Sequence, residues 1–433
     1  MSSAKSFIKS SVVYFVGSVL TKVISFFLLP LYTNYLVSTD MGYYDLSVSY
    51  LNILMPVICM EIWSGIMRYM YDYDELKGKF KVVTNGITLF SVSLLLYTLI
   101  FVVLNTVKDV KSIWLIYLYG LFTMIQYVYT YIARTLGYSL IFSISGILGS
   151  LVNAVSNIIM IVGFGMRLES LYIAMILGLV VQIIILETKV KLIKNVSLKQ
   201  LDSSMIGSMI RFSLPLSLNS ACFWFLSSYN RIGISNILGL SMNGIYSVSG
   251  KFAVVMTLVS TCFTMAWQEL VCSRGNEENK SEFYTTASNY YIQFLAIGTI
   301  LFLPAIKTVF PFFIGKDYQE AFNFIPLYLL GTSASIFSSF LGNIFSAEKN
   351  TSIIFTSTLV SALVNVSLLH LLIHIFGLQA ANISLLCGFI VNIAIRIIII
   401  NKSPLTYIKL NYKMLLVWSA FFCLAYIVYM TQP

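Results

Sequence analysis

Charge is what this chain has least of. Of its 433 residues only 10% are Asp, Glu, Lys or Arg, against about 25% in ordinary soluble domains. So little charge cannot cover a water-facing surface, which excludes a soluble globular protein. No soluble domain is left over either: the longest polar stretch, from Cys272 to Glu282, is too short to fold alone. Cysteine gives no framework. The six (Cys59, Cys222, Cys262, Cys272, Cys387 and Cys423) are scattered, mostly in apolar runs, and no two form a CxxC pair. That argues against a disulfide scaffold or a zinc site and for small apolar filling. Walker, GxSxG, HExxH and dinucleotide-fingerprint motifs are all missing. No catalytic residue or cofactor is therefore assigned, and nucleotide-driven work by this chain alone is not indicated. His370 and His374, four apart on one helix face, have the spacing of metal ligands, but no third ligand stands near and no metal is assigned. A pH-sensitive pair or polar packing fits them better.

What is present is apolar length. Hydrophobic residues make up 58% of the chain, in recurring runs of about 20 that can each cross a bilayer as a helix. The runs predict spans at 11–36, 43–70, 82–106, 112–134, 139–164 and 169–190. After a basic linker follow 209–237, 243–271, 283–312, 322–346, 351–376, 379–401 and a further span at 412–430. Most are far too long for barrel strands, which need about 10 alternating residues. The first run resembles a signal peptide after Lys5 and Lys9, but it is too long and no cleavage site follows, so it reads as a retained helix. With the N-terminus in the cytoplasm, inside segments hold about 19 Lys and Arg, Arg396 among them, against 5 outside. Basic inside loops fix that orientation and account for the net charge of +10 without nucleic acid. The external loops are short, which argues against a membrane enzyme with a large catalytic face. Trp267 at the inner end of its helix reads as an interfacial anchor, and an interfacial belt accounts for most of the Tyr and Phe.

The chain also echoes itself at a spacing of 202 residues. Ile8-Lys9-Ser10-Ser11, Asn34-Tyr35-Leu36 and Gly42-Tyr43-Tyr44 align without a gap on Ile210-Arg211-Phe212-Ser213, Asn236-Ile237-Leu238 and Gly244-Ile245-Tyr246. Six spans separate the copies, so both begin on the same side and the repeats are parallel. The expectation is an all-α polytopic membrane protein of two parallel six-helix lobes around a central cavity, at 1–195 and 196–408, with an additional helix at 409–433.

Ionisable residues within spans are costly, by about 2.5–3.5 kcal/mol for a cation or carboxylate at mid-bilayer, and mark water-filled paths. Ser11, Ser18, Lys22 and Ser25 form one helical stripe, and Ser213, Ser220, Ser227 and Arg231 another. The serines suit either close helix packing or a cavity lining, and Arg231 either snorkelling or a ligand. On the second helix of each half lie Asp45 and Ser49, matched at the same shift by Ser247 and Lys251. Asp45 is a coupling candidate or a cap of its helix start. Glu61 follows a kink expected at Pro56; it suits a proton or cation site, or a pair with a cation such as Arg68. Lys22, Arg231 and Lys251 outnumber Glu61, and a cationic cavity implies an anionic cargo, phosphate above all.

The stretch from Pro30 to Leu36 with Met41-Gly42-Tyr43-Tyr44, and the stretch Phe212-Ser213-Leu214-Pro215, Tyr229-Asn230-Arg231, Leu238-Gly239 and Gly244 to Ser247, resemble polysaccharide flippases of the O-antigen type. These belong to the multidrug/oligosaccharidyl-lipid/polysaccharide exporter superfamily. The resemblance implies paired six-helix lobes and passage of a polyprenyl-diphosphate-linked oligosaccharide from the cytoplasmic to the outer leaflet of a bacterial inner membrane. It implies alternating access, membrane lipids as surroundings, and polymerase and glycosyltransferase partners. By that resemblance Lys22, Arg231 and Lys251 would meet the diphosphate, with Glu61 and Asp45 as candidates for ion coupling. Where the family often has Asp beside the arginine, this chain has Asn230, which would leave Arg231 without a local counter-ion. The rivals are a cation-coupled drug or metabolite antiporter of the same superfamily, which often carries a carboxylate in its first helix where this chain has Lys22, and a membrane polymerase.

Overall fold

A computed structural model describes residues 17–197, 200–273, 280–347, 350–402 and 407–431, and among these no β-strand occurs. An apolar chain without water must satisfy each backbone N–H and C=O internally, and helices do this segment by segment. Helix α1 covers 17–27 and, after a turn at Leu28, α2 runs Leu29–Tyr35. Then come α3 (Ser38–Ile58), α4 (Ile62–Met70), α5 (Leu76–Val107), α6 (Ile113–Thr135), α7 (Ser139–Ile158), α8 (Leu168–Val190) and the single turn α9 (Leu192–Asn195). They are followed by α10 (Ser203–Ser227), α11 (Asn230–Ile237), α12 (Leu240–Ser273), α13 (Lys280–Phe313), α14 (Ala321–Ala347), α15 (Thr351–Phe376), α16 (Gln379–Lys402) and α17 (Tyr412–Met430). Ten described helices are long and apolar enough to cross a membrane, or eleven with α3 and α4 counted as one bent span. Each expected span falls on helix; the start of the first, with Ser11, lies outside the described residues, as does most of the polar stretch at 272–282.

The helices pack as two compact units. One holds the described residues up to Leu28 together with Ser47–Ala221; the other holds Leu29–Leu46 and the described residues from Cys222 onward. Helices α3 and α10 thus each contribute one part to each unit.

In the first unit α8 packs on α6 and α7, with Ser47 and Tyr172 hydroxyls 2.6 Å apart and Gln126 donating to Gln182 at 3.1 Å. The basic linker is tied down by side-chain hydrogen bonds as well as by the buried Val190 and Leu192. Glu187 accepts from the backbone N–H groups of Leu192 and Ile193. Asn85 donates to the Gln200 carbonyl and accepts from the Asp202 N–H, and Lys81 bridges to Asp202 at 2.8 Å.

In the second unit α14 packs between α12 and α16, and α15 lies on α16. Trp267 is 2% exposed: its ring stacks on Phe340 at 4.2 Å and its Nε1 donates to the Phe340 carbonyl. It is therefore a core residue, not the interfacial anchor its place in the sequence suggests. Phe263 and Tyr291, 4.0 Å apart, extend the stack, so these aromatics serve packing. Tyr290, next in sequence, is 68% exposed. Arg396, counted above among surface cations, is 4% exposed. Its guanidinium donates to the Ser338 carbonyl and to the Ser357 and Thr358 hydroxyls, joining α14, α15 and α16. The additional helix α17 is held at both ends. Asn289 donates to the Lys409 carbonyl, and Lys307 donates to the Val428 carbonyl beside a Tyr429–Phe322 stack at 4.1 Å.

Truncating Trp267 to Ala should lower stability by about 3–5 kcal/mol; thermal unfolding in detergent should show it, with Tyr290→Ala close to the parent. The Lys81 hydrogen bond, with the Met205 and Ser204 N–H groups, holds the Asp202 carboxyl below the usual carboxylate range. A carboxyl depressed in the folded state stabilises above its unfolded value, about 3.9, and that contribution is lost as pH falls through the depressed one. Amide exchange at 203–206 should therefore speed up below about pH 4 in the parent and be less pH-sensitive in Asp202→Asn.

Candidate functional site

In the second unit the helix starts that the 202-residue echo aligns lie against each other. A Cβ built on Gly42 would strike the Leu240 carbonyl oxygen, and one on Gly244 would strike the Ser38 carbonyl oxygen. Both pairs are the same contact read from the two copies, since Gly42 and Ser38 shift onto Gly244 and Leu240. Only glycine permits so close a backbone approach. The Ser38 and Ser241 hydroxyls, 2.6 Å apart, and Asn243, donating to the Gly42 carbonyl at 2.8 Å, fasten this seam. Beside it Thr33 donates to the Phe313 carbonyl and Tyr318 to the Leu36 carbonyl.

One turn beyond Gly42, Asp45 meets Arg231. The Arg231 Nε donates to Asp45 Oδ2 at 2.6 Å, and the side chains are only 20% and 17% exposed. Arg231 thus has a counter-ion after all, supplied 186 residues away rather than by its neighbour. Asn230 has a different role: buried, it donates to the Ala381 carbonyl and accepts from Asn365, pinning α11 to α15 and α16. Tyr229 shares a hydrogen bond with His370 at 2.9 Å.

The ion pair forms one wall of a cavity of about 230 Å³, which Ser247, Lys251, Tyr328 and Thr332 also line. Drug-sized ligands occupy roughly 300–1,000 Å³, so this space suits a headgroup and not a whole amphiphile. Ser247 and Lys251 lie four apart on α12 and so share a face. Ser247 is 3% exposed and its Oγ has no hydrogen-bond partner among the described residues. Lys251 makes no hydrogen bond or ion pair with a described residue. Two cations face one carboxylate here, and two donors are free.

Glu61 belongs to the first unit. The span breaks there, with a 49° bend between α3 and α4. The break falls at 59–61 rather than at Pro56, which stays inside α3. Met60 and Glu61 both take left-handed backbone, at φ 49° and 50°, a conformation costing roughly 1–2 kcal/mol for a side-chain-bearing residue. Ser220 donates to the Glu61 carboxylate, and the Ser64 side chain hydrogen-bonds it too. Arg68 pairs instead with Asp72 at 2.6 Å, both well exposed. Lys22, also in this unit, is half-buried and makes no hydrogen bond or ion pair with a described residue. Of the serine stripes, Ser25 and Ser227 hydrogen-bond their own helices and Ser213 is fully buried at the spot where Gly65 passes. Among the described serines of the stripes, only Ser220 meets a candidate residue. The structure therefore brings Asp45, Arg231 and Lys251 together and leaves Lys22 and Glu61 in the other unit. Ser247 stood out only as the match of Asp45 in the repeat and was given no role, and Tyr328 and Thr332 were not singled out at all.

No protein-family profile matches the chain, and no curated protein does. Solved structures do. The lipid II flippase MurJ in an inward closed conformation is similar at a TM-score of 0.71 and 14% identity, over 96% of this chain and 98% of that one. An inward-facing multidrug-resistance MATE transporter of the MOP superfamily gives 0.69 and 13%, over 95% and 98%. A point mutant of the Vibrio cholerae MATE transporter VcmN gives 0.58 and 15%, over 93% and 98%. The chain has the fold of these MOP-superfamily transporters.

Removing one partner of a half-buried ion pair strands the other, whereas removing both does not. Asp45→Asn and Arg231→Gln should each destabilise, and the double variant should recover part of the loss. A double-mutant cycle of thermal unfolding should give a coupling of about 1–3 kcal/mol.

Proposed function

We propose that this chain flips a polyprenyl-diphosphate-linked oligosaccharide from the cytoplasmic to the outer leaflet by alternating access. The observation that carries this is the cavity at Arg231 and Lys251. It is small and net cationic, and its Lys251 ammonium and Ser247 hydroxyl have no hydrogen-bond partner among the described residues, which suits phosphate oxygens. Similarity in fold to a lipid II flippase adds support for a lipid-linked cargo. In this reading Lys22, Arg231 and Lys251 draw the diphosphate, the sugar occupies water and the polyprenyl tail stays in lipid. The halves at 1–195 and 196–408 are the moving lobes, the additional helix sits at 409–433, and the N-terminus faces the cytoplasm of a bacterial inner membrane. Glycosyltransferases and a polysaccharide polymerase act before and after it.

Glu61 is the coupling site of this proposal. Its partners are hydroxyls, which donate to a carboxylate and accept from a carboxylic acid. Either protonation state is therefore hydrogen-bonded, and a proton can come and go. Asp45, held by a guanidinium, lacks that freedom. A half-buried carboxylate with no cationic partner among the described residues also favours the second reading, a cation-coupled drug or metabolite antiporter, which similarity to MATE transporters supports.

In liposomes carrying the purified protein, flipping of a fluorescent polyprenyl-diphosphate oligosaccharide should fall about tenfold or more in Lys251→Gln, the loss of one charge-assisted contact. It should vanish in the triple variant Lys22→Gln/Arg231→Gln/Lys251→Gln. Full flipping by the triple variant would sink the anionic-cargo reading, and export of organic cations in its place would establish the antiporter. Glu61→Gln should abolish the response of flipping to a proton gradient.

A further inference from the structure

The seam, the ion pair and the cavity adjoin one another, and their order along α3 matters. Gly42 packs against Leu240 and Gly244, Asp45 follows one turn later, and after Leu46 the helix passes to the other packed unit. The Asp45 carboxylate is thus the last strong polar contact that α3 makes within the second unit before leaving it. On the other side of that contact, Arg231 lies in the first turn of α11, the short helix that leads into the Leu240–Gly244 start of α12. One hydrogen-bonded ion pair therefore ties α3, one turn past Gly42, to α11, the helix that precedes the other strip of the seam.

Asp45 also occupies the place an anionic ligand would take. Its carboxylate supplies Arg231 with one negative charge and lies in the wall of a cavity where the Lys251 ammonium and the Ser247 hydroxyl have no partner among the described residues. A phosphate carries more charge and more acceptor oxygens than a carboxylate, and it can take the guanidinium fork, the ammonium and the hydroxyl at once. Both anions cannot stay: with phosphate in the cavity, Asp45 faces a like charge in a half-buried site. Resting on the anionic-cargo reading, we propose that Asp45 is an internal stand-in for the cargo phosphate on Arg231, and that phosphate entry displaces it and releases the Gly42–Gly244 seam.

The test uses the full-length purified protein with inorganic pyrophosphate as probe. The seam is read by oxidative cross-linking of a Ser38→Cys/Ser241→Cys pair, whose hydroxyls lie 2.6 Å apart, with each single cysteine variant as background. Pyrophosphate should lower the cross-linking yield severalfold. Asp45→Asn should bind pyrophosphate about tenfold more tightly and cross-link poorly without it, whereas Asp45→Glu should behave like the parent. Lys251→Gln should cross-link normally and respond to pyrophosphate only at much higher concentration. If Asp45→Asn proves too unstable to purify, the Asp45→Glu and Lys251→Gln responses still decide the matter. Pyrophosphate binding with unchanged cross-linking, or unchanged affinity in Asp45→Asn, would overturn the stand-in while leaving the anionic site intact. No pyrophosphate binding by either the parent or Asp45→Asn would overturn both.

Discussion

Among apolar helices a charge must be met by an opposite charge or by enough hydrogen bonds, because little water is present to do it. The buried charges of this chain meet that demand in different ways. Arg396 is met by a carbonyl and three hydroxyls from two neighbouring helices. It has neutral partners only and joins elements of one bundle, as a structural residue does. Arg231 is met by a carboxylate, which makes its pair strong but open to exchange for another anion. Glu61 is met by hydroxyls and can hold a proton. Lys251 faces the same carboxylate but makes no hydrogen bond or ion pair with a described residue, although it lines the cavity. An unanswered charge beside an answered one is the asymmetry that a ligand site needs.

Backbone and side chains tell different stories about the duplication. The seam keeps the repeat: Gly42 against Leu240 and Gly244 against Ser38 are one contact seen twice. The charges around it do not keep it. Asp45 corresponds to Ser247, Lys251 to Ser49 and Arg231 to Leu29 at the same shift. A close glycine contact has almost no latitude, since any Cβ collides with backbone, so both copies retain it. The cavity side chains face open space and were free to diverge. Two matched helix starts can thus approach symmetrically and still border a site that is cationic on balance.

Much of this was legible in the sequence and some was not. Apolar runs of about 20 residues identify helices because no other element uses that length in lipid, and among the described residues each expected span falls on helix, including α17. Asp45, Arg231 and Lys251 stood out as charges where charges are costly, and so did Lys22, which lies in the other unit. Their partners were not legible. Asp45 and Arg231 stand 186 residues apart, and periodicity along one helix carries no information about which helix lies opposite. Trp267 misled for a similar reason: a tryptophan near a helix end reads as an interfacial anchor unless the stacking rings from α13 and α14 are known. The bend was expected at Pro56 but fell at 59–61. Proline removes one donor and need not itself leave the helix. The chain broke a turn later, where Met60 and Glu61 adopt left-handed backbone.

That break bears on why two acids occur on one span. Left-handed backbone at two successive side-chain-bearing residues costs roughly 1–2 kcal/mol each and persists only when surroundings over-determine it. Part of what determines it here is the Glu61 carboxylate, held by Ser220 of α10 and by Ser64 of α4. A change in the protonation of Glu61 alters those hydrogen bonds at the place where the span is least able to hold its shape by helix propensity alone. A change of partner at Asp45 acts at the other end of α3, beside the glycine seam. One bent span therefore carries two polar contacts of different chemistry, Asp45 on α3 and Glu61 at the break before α4, the first proposed to respond to a competing anion and the second to a proton. Because α3 is continuous from Ser38 to Ile58 and shared by both packed units, it is the element through which the two events can be linked.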